Sequence, residues 1–309
     1  MVALPQTPTG KNAFAVDRRV TYKGFWPGAL FVAPQLLLVF VFFYWPTGVA
    51  LFWAFTLERP WGGGNMFVGF DNFRAIFADS AFWAAIGRNV VFSLASTALA
   101  IGIGLLLALF CDRQLCGYKT CRTILVWPYA VVAPAAALAF RFIFAPEAGI
   151  FSGLLKAHPD WWNPALYGPH AMAMVIFCYA WKYVAWNFIF LLAALQAIPR
   201  GLVEAAAMDG AGPLRRMRDL AVPLISPTIF FLIVINITGS FQDSFSIIDI
   251  MTDGGPAKST ELMVYKIYFD GFRGLDYSSA AAQSVVLLIV MTALTFFQFR
   301  YIERRVHYA

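Results

Sequence analysis

Six apolar stretches, each long enough to cross a bilayer, leave this chain few ways to fold. A spanning helix needs about 20 mostly apolar residues. The stretches fall at roughly 29–54, 85–111, 122–144, 171–195, 222–247 and 280–300. Composition agrees: the chain is 60% hydrophobic and 13% charged, where a soluble domain carries about 25% charge. Backbone polar groups have no water to bond in a bilayer, so each span must satisfy its own. The expected fold is an all-α membrane protein with six transmembrane helices.

The basic residues orient it. Lys and Arg concentrate on the cytoplasmic side of membrane proteins. With the N-terminus inside, the inner segments hold Lys11, Arg18, Arg19 and Lys23, then Arg113, Lys119 and Arg122. They continue with Arg200, Arg215, Arg216 and Arg218, then Arg300, Arg304 and Arg305. Most acids fall in the opposite loops, Glu58, Asp71, Asp79, Glu147, Asp253 and Asp270 among them. The reading is N-in/C-in. It divides the chain into a cytoplasmic tail at 1–27, a membrane domain at 28–300 and a second tail at 301–309. The run from Gly28 to Phe55 is too long for a signal peptide core and reads as an uncleaved first span.

The net charge of +6 fits this sidedness. No basic stripe with interleaved aromatics points to nucleic acid. Three of the four cysteines, Cys111, Cys116 and Cys121, lack paired metal-site spacing, and His158, His170 and His307 are scattered. A metal site is not expected. Neither is a phosphate-binding loop: the glycines at 62–64 and at 102 and 104 lack the lysine and the strand-to-helix setting. Any active transport must draw its energy from outside this chain.

Polar residues inside spans are functional candidates, because charge is costly there. Arg141 lies late in the third span. Lys182, Tyr183 and Asn187 lie in the fourth. Asn236, Ser240 and Asp243 lie in the fifth, at spacings of three and four that share a helix face. These are the substrate-path candidates. The structural alternatives are that Arg141 reaches the outer headgroups and that Lys182 pairs with Asp243. Prolines at 34, 46, 128, 134, 223 and 227 each remove a helix hydrogen bond. They serve either packing bends or moving parts. The long outer loop from Met251 to Ser279 has turn chemistry at Asp253-Gly-Gly-Pro256 and is a candidate surface for an external partner.

The odd inner stretch is Val203–Pro223. A helix former at Glu204–Met208 breaks at Asp209-Gly210 and restarts after Gly212-Pro213. Gly past a helix end and Pro at the next start punctuate two short helices. A solvated loop, a helix held on anionic lipid by Arg215, Arg216 and Arg218, and a protein-docking surface are all open from these residues.

The stretch resembles the EAA loop of permease subunits from binding-protein-dependent ABC importers. Glu204-Ala205-Ala206 is followed by Gly210, then nine residues, then Leu220-Ala221-Val222-Pro223. The pattern's isoleucine and leucine are replaced here by Leu220 and Val222. Further segments are similar to permeases of the sn-glycerol-3-phosphate importers within that family: Phe67–Phe73, Pro128–Pro134, Asp209–Pro213 and Ala280–Val286. The resemblance covers most of the chain except residues 1–24.

The resemblance implies a fold and a role. The fold is the MetI-like permease fold, and the chain is half of a translocation path for sn-glycerol-3-phosphate or a related glycerophosphodiester. The loop at 200–223 carries a coupling helix seated on an ATPase subunit, with Glu204, Ala205, Ala206, Asp209, Gly210 and Pro223 as the coupling residues. The implied partners are a second, homologous permease, two ATP-binding subunits, a periplasmic solute-binding protein and membrane lipid. By the same resemblance the chain binds no cofactor and is not an enzyme; ATP and Mg²⁺ belong to the partner ATPase. The implied location is the bacterial inner membrane, multi-pass. The alternatives are a sugar or polyol importer of the same kind and, more remotely, a secondary transporter or channel. The last needs a midplane coupling carboxylate and an inverted repeat, and only Asp243 answers the first requirement.

Overall fold

The computed structural model describes residues 25–58, 64–112, 118–147, 149–153 and 161–302. The expected tails at 1–24 and 303–309 lie outside the described residues. So do Arg113, Cys116, Lys156, His158 and the side chains of Lys119, Cys121 and Arg122. The chain divides at Val49/Ala50 into two units.

The first unit holds α1 (Phe25–Val39), a π-helical turn (Phe40–Tyr44) and the start of α2 (Trp45–Ala54). The wide turn has a local cause. Pro46 has no N–H and its ring crowds the carbonyl one turn back. The Trp45 N–H instead reaches Phe40 O, five residues back.

The second unit begins with a short antiparallel pair, β1 (Thr56–Glu58) and β2 (Asn65–Phe67), with Thr56 opposite Phe67. Asn72 Nδ2 donates to Ala54 O and Thr56 O at 3.0 and 2.9 Å. This contact ties α3 (Asp71–Ala78) to the foot of the pair. Then come α4 (Ser80–Asp112), α5 (Tyr118–Ala130), α6 (Ala133–Ile143) and α7 (Gly168–Gln196). The chain continues with α8 (Arg200–Met208), α9 (Pro213–Arg216), α10 (Val222–Leu224) and α11 (Ser226–Met251). It ends with α12 (Met263–Tyr268) and α13 (Tyr277–Phe297).

Among the described residues, five helices are long and apolar enough to cross a membrane: 28–54, 80–112, 168–196, 226–251 and 277–300. The expected third span is not one helix. It is broken at Val131–Val132, and its two halves meet at 104°. Pro128 and Pro134 bracket the break. Pro134 cannot donate back to Ala130, and the residue before a proline avoids the helical region. The fifth span also starts later than expected. A π turn (Met217–Ala221) and α10 precede it; Pro223 follows the π turn, and Pro227 stands at the start of α11, where a missing N–H costs nothing.

α4 and α7 form the most extensive helix pair. The face of α4 that makes it carries small residues: Ala100, Gly104 and Ala108 are buried against α7. Small residues let backbones approach closely where lipid gives no hydrophobic drive. At Gly104 an added Cβ would stand 3.0 Å from Asn187 Cβ and 3.2 Å from Phe188 N. Gly104→Leu is therefore expected to cost about 1–3 kcal/mol by overpacking. A lowered unfolding midpoint in detergent checks it, with Gly104→Ala intermediate.

The larger apolar clusters among the described residues lie toward the two ends of the bundle. One joins Phe92, Ala136, Ala137, Val175, Tyr179, Ile247 and Ile248 toward the end that carries the loop after Met251. The other joins Ala108, Phe188, Leu191, Leu195, Ile225 and Leu232 toward the end that carries α8.

Candidate functional site

The stretch Arg200–Pro223 folds as a helix, a tight turn and a second short helix. α8 ends in a Schellman turn: the Gly210 N–H donates to Ala207 O at 3.1 Å and the Ala211 N–H to Ala206 O at 3.0 Å. The turn needs a left-handed residue just past the helix end, and Gly210 supplies it at φ 77°. Pro213 opens α9. No residue of α8 is buried. Glu204, Ala205, Asp209 and Gly210 are exposed, Ala206 is half-buried, and Met208 and Leu214 stand 88% and 73% exposed. The helix covers little of its own chain and leaves the apolar Met208 side chain in the open. The arginines are engaged differently: Arg215 and Arg218 both pair with Asp219, at 3.5 and 4.0 Å. Exposed pairs of this kind contribute little to stability.

Pro223 again follows a wide turn. The Val222 N–H reaches Met217 O, five residues back, as Trp45 does before Pro46. Glu204 and Val203 also line an open groove of about 540 Å³ with Asp112, Gln196 and Arg200.

The second site is an open cavity of about 680 Å³ against the broken third span. The break contributes Tyr129, Val132 and Ala133. α7 contributes Lys182, Tyr183 and Trp186; α11 contributes Ile235, Gln242, Asp243, Phe245 and Ser246. Tyr129 and Trp186 stack at 5.5 Å, and Tyr179 and Tyr183 at 4.4 Å. The Tyr183 hydroxyl donates to Asp243 Oδ2. Lys182 does not pair with Asp243. Its Nζ donates to Val131 O at 2.9 Å and lies 5.6 Å from the Tyr129 ring centre.

The polar residues of the fourth and fifth spans therefore part company. Lys182, Tyr183 and Asp243 face the cavity. Asn187, Asn236 and Ser240 are fully buried in helix contacts. Asn187 and Asn236 exchange amide hydrogen bonds at 3.1 and 2.8 Å. Each also donates back to its own helix, to Tyr183 O and Leu232 O. Ser240 meets Ser93 of α4. Such contacts between spans are worth roughly 0.6 kcal/mol each. Arg141 joins neither group. Its Nη1 donates to Ile250 O at 2.8 Å, and it lines a separate cavity of about 330 Å³ with Phe144, Met174, Asp253 and Pro256. Sequence reasoning passed over Tyr129, Val132 and Phe245. The proline pair 128/134 was the available signal for the first two.

The loop beyond Met251 is locked by charge. Lys266, 6% exposed, bridges Asp79 at 3.3 Å and Asp270 at 2.9 Å, and Gln283 donates to Asp270. Arg273 binds Asp253 at 2.9 Å, which also accepts from the Tyr265 hydroxyl at 2.6 Å. Burial alone would raise the Asp79 carboxyl, but the Ala81 amide and Lys266 hold it below its ordinary 3.8. Burial would lower Lys266, but Asp270 and Asp79 hold it above 10.5.

These shifts tie the lock to pH. A depressed carboxylate stabilises above 3.8 and that contribution is lost as pH falls through its folded value. A raised lysine stabilises below 10.5 and loses this as pH rises through its folded value. This contribution to stability is expected to be flat between those limits and to fall outside them. Hydrogen exchange of α12 amides against pH checks it.

The sequence matches the family described as "Binding-protein-dependent transport system inner membrane component" over residues 25–308. The chain belongs to this family of multi-pass membrane permeases.

The match to individual relatives spans nearly their whole length. The chain is 46% identical over 279 residues to the "sn-glycerol-3-phosphate transport system permease protein UgpA" of Rhizobium meliloti (strain 1021), covering 90% of this chain and 95% of that one. It is 42% identical over 290 residues to the protein of the same name from Escherichia coli (strain UTI89 / UPEC), covering 94% and 98%. Among solved structures, it is similar to a chain of a bacterial ABC transporter involved in the import of the acidic polysaccharide alginate. The TM-score is 0.77 at 24% identity, covering 90% of this chain and 96% of that one. At that identity the likeness speaks for the fold.

Proposed function

We propose that this chain is the non-catalytic permease subunit of an ATP-driven importer in a bacterial inner membrane. It forms half of the path for sn-glycerol-3-phosphate or a related glycerophosphodiester. The observation that carries the reading is the 46% identity to a glycerol-3-phosphate permease over 90% of the chain. The partners are a second, homologous permease, two ATP-binding subunits that use ATP and Mg²⁺, and a periplasmic solute-binding protein. This chain itself binds no cofactor. It runs N-in/C-in, which puts α8 in the cytoplasm.

The geometry supports a division of labour. α8, with Glu204, Ala205, Ala206 and Asp209, seats on an ATP-binding subunit; Gly210 sets its angle and Pro223 links it to the fifth span. When that subunit moves, α8 moves with it. The cavity at the broken third span is the substrate path, with Lys182 as its cation and Tyr183 and Asp243 as hydroxyl-binding groups. Arg141 braces the outer loop. Asn187, Asn236 and Ser240 hold the spans that form the wall.

A sugar or polyol importer is the second reading. The aromatic wall around Asp243 favours it, because such surroundings suit a neutral, hydroxyl-rich ligand. Uptake in proteoliposomes with the four partner chains decides. Lys182→Ala is expected to lower glycerol-3-phosphate uptake by about tenfold, a loss near 1.4 kcal/mol, with less effect on a neutral polyol carried by the same complex. Equal losses would make the lysine purely structural, and polyol uptake that exceeds phosphate uptake in the parent would favour the second reading.

A further inference from the structure

We infer that the contact between Lys182 and the Val131 carbonyl is a latch on the broken third span, and that an anionic substrate group releases it. The inference rests on the reading of the cavity as the substrate path.

The break creates an unusual acceptor. A helix leaves its last carbonyls without intrahelical partners, and α5 ends inside the bundle at Ala130. Val131 is the next residue, in the break itself. Lys182 comes from another helix and places its ammonium 2.9 Å from Val131 O. A cation at a helix C-terminus is also favoured by the helix dipole. The ammonium thus helps fix the 104° angle between α5 and α6.

The same ammonium lines the cavity. Among the described residues it makes no ion pair with a carboxylate. The nearby carboxylate, Asp243, is engaged by the Tyr183 hydroxyl. The lysine is therefore held by a neutral carbonyl and by the Tyr129 ring face. The bond from Lys182 to Val131 O is already charge-assisted; a phosphate adds to it the attraction between two opposite full charges, which a neutral carbonyl cannot supply. A phosphate in the cavity competes with Val131 for Nζ and wins. A neutral polyol of the same size does not.

Substrate binding would then do two things in one step. It would neutralise the anion and uncap the end of α5, which frees the break to move. Lys182 becomes a specificity-determining residue through what it releases as well as through what it binds. A ligand that fits the cavity without an anionic group leaves the wall latched.

The test uses the whole transporter in proteoliposomes, with the four native cysteines replaced by serine. A single cysteine is placed at Val132, beside the break, or at Ile235, on the opposite cavity wall. Maleimide labelling is measured with the binding protein and ATP, with and without sn-glycerol-3-phosphate, and with glycerol as the neutral control. In the Lys182 parent, V132C labelling is expected to change by at least about fivefold with the phosphate, the lower end of ordinary coupling between a ligand and a distant change. Glycerol is expected to leave it unaltered.

In K182M, V132C is expected to label at the substrate-bound rate throughout. Position 235 reports the path itself: I235C should be protected by the phosphate. Protection at 235 with no change at 132 overturns the latch and leaves the path standing. No protection at 235 overturns the path. K182M that labels at 132 as the unliganded parent does also overturns the latch. If K182M fails to assemble, the parent's response at 132 decides alone.

Discussion

Gly210→Val is expected to stop transport in a permease that still inserts. The cause lies in the backbone. Gly210 sits at φ 77°, a region that costs an ordinary L-residue about 1–2 kcal/mol and a β-branched one more. Nothing among the described residues lies within 4 Å of an added Cβ, so the penalty is conformational and not a clash with those neighbours. The Schellman hydrogen bonds from Gly210 and Ala211 are lost if the residue leaves the left-handed region. α8 then leaves the chain at another angle. A penalty of 1–2 kcal/mol is about a fivefold to thirtyfold drop in the correctly seated form, before any effect on the partner. Gly210→Asn, which tolerates the same backbone region, should retain most activity. Uptake and ATP hydrolysis measured side by side check it. Equal uptake by the Val and Asn variants would remove the turn from the coupling mechanism.

Lys266→Met is expected to destabilise the outer loop. It leaves Asp79 and Asp270 facing each other across a nearly closed site. Breaking a fully buried pair costs about 3–5 kcal/mol. Asp79 is 41% exposed here, so water screens part of the loss and about 2 kcal/mol is the expected cost. The signature is local: faster hydrogen exchange in α12 and the start of α4, with α8 unaffected. The double change Lys266→Met with Asp270→Asn should recover part of it, because the stranded charge is gone. Uniform destabilisation of the whole bundle would contradict the local lock.

Much of the fold was legible in the residues. Long apolar runs located five straight spans, because composition alone decides what crosses a bilayer. The helix, break and restart at Glu204, Asp209-Gly210 and Gly212-Pro213 announced their own punctuation, since capping is local chemistry. The broken third span was not legible. Pro128 and Pro134 gave two possible bend sites, and the 104° turn is set by tertiary contacts, the packing of α6 against α7 and α11 and the Lys182 bond to Val131 O. Which polar residues face the cavity and which face a neighbouring helix was not legible either, for a similar reason. Asn236, Ser240 and Asp243 share a stripe by spacing, but the stripe straddles the edge of a packed face. Asn236 and Ser240 fall inside it and Asp243 falls outside. A spacing rule locates the stripe and cannot say where the neighbouring helix stops covering it. The partner of Lys182 was hidden too, because a backbone carbonyl freed by a break leaves no mark in the sequence.

The wide turn before Pro223 also fixes a rotational phase. An α-helix advances about 100° per residue, so a turn that closes five residues back, as Val222 does onto Met217, carries one residue too many for a continuous screw. Every side chain before it is rotated by about that step relative to those after it. The rotation of α9 relative to α10 is thus set by a single surplus residue. Deleting Leu220 would leave length, charge and helicity almost unchanged. It would also turn α9 through more than a quarter of a revolution, like a gear remounted one tooth out.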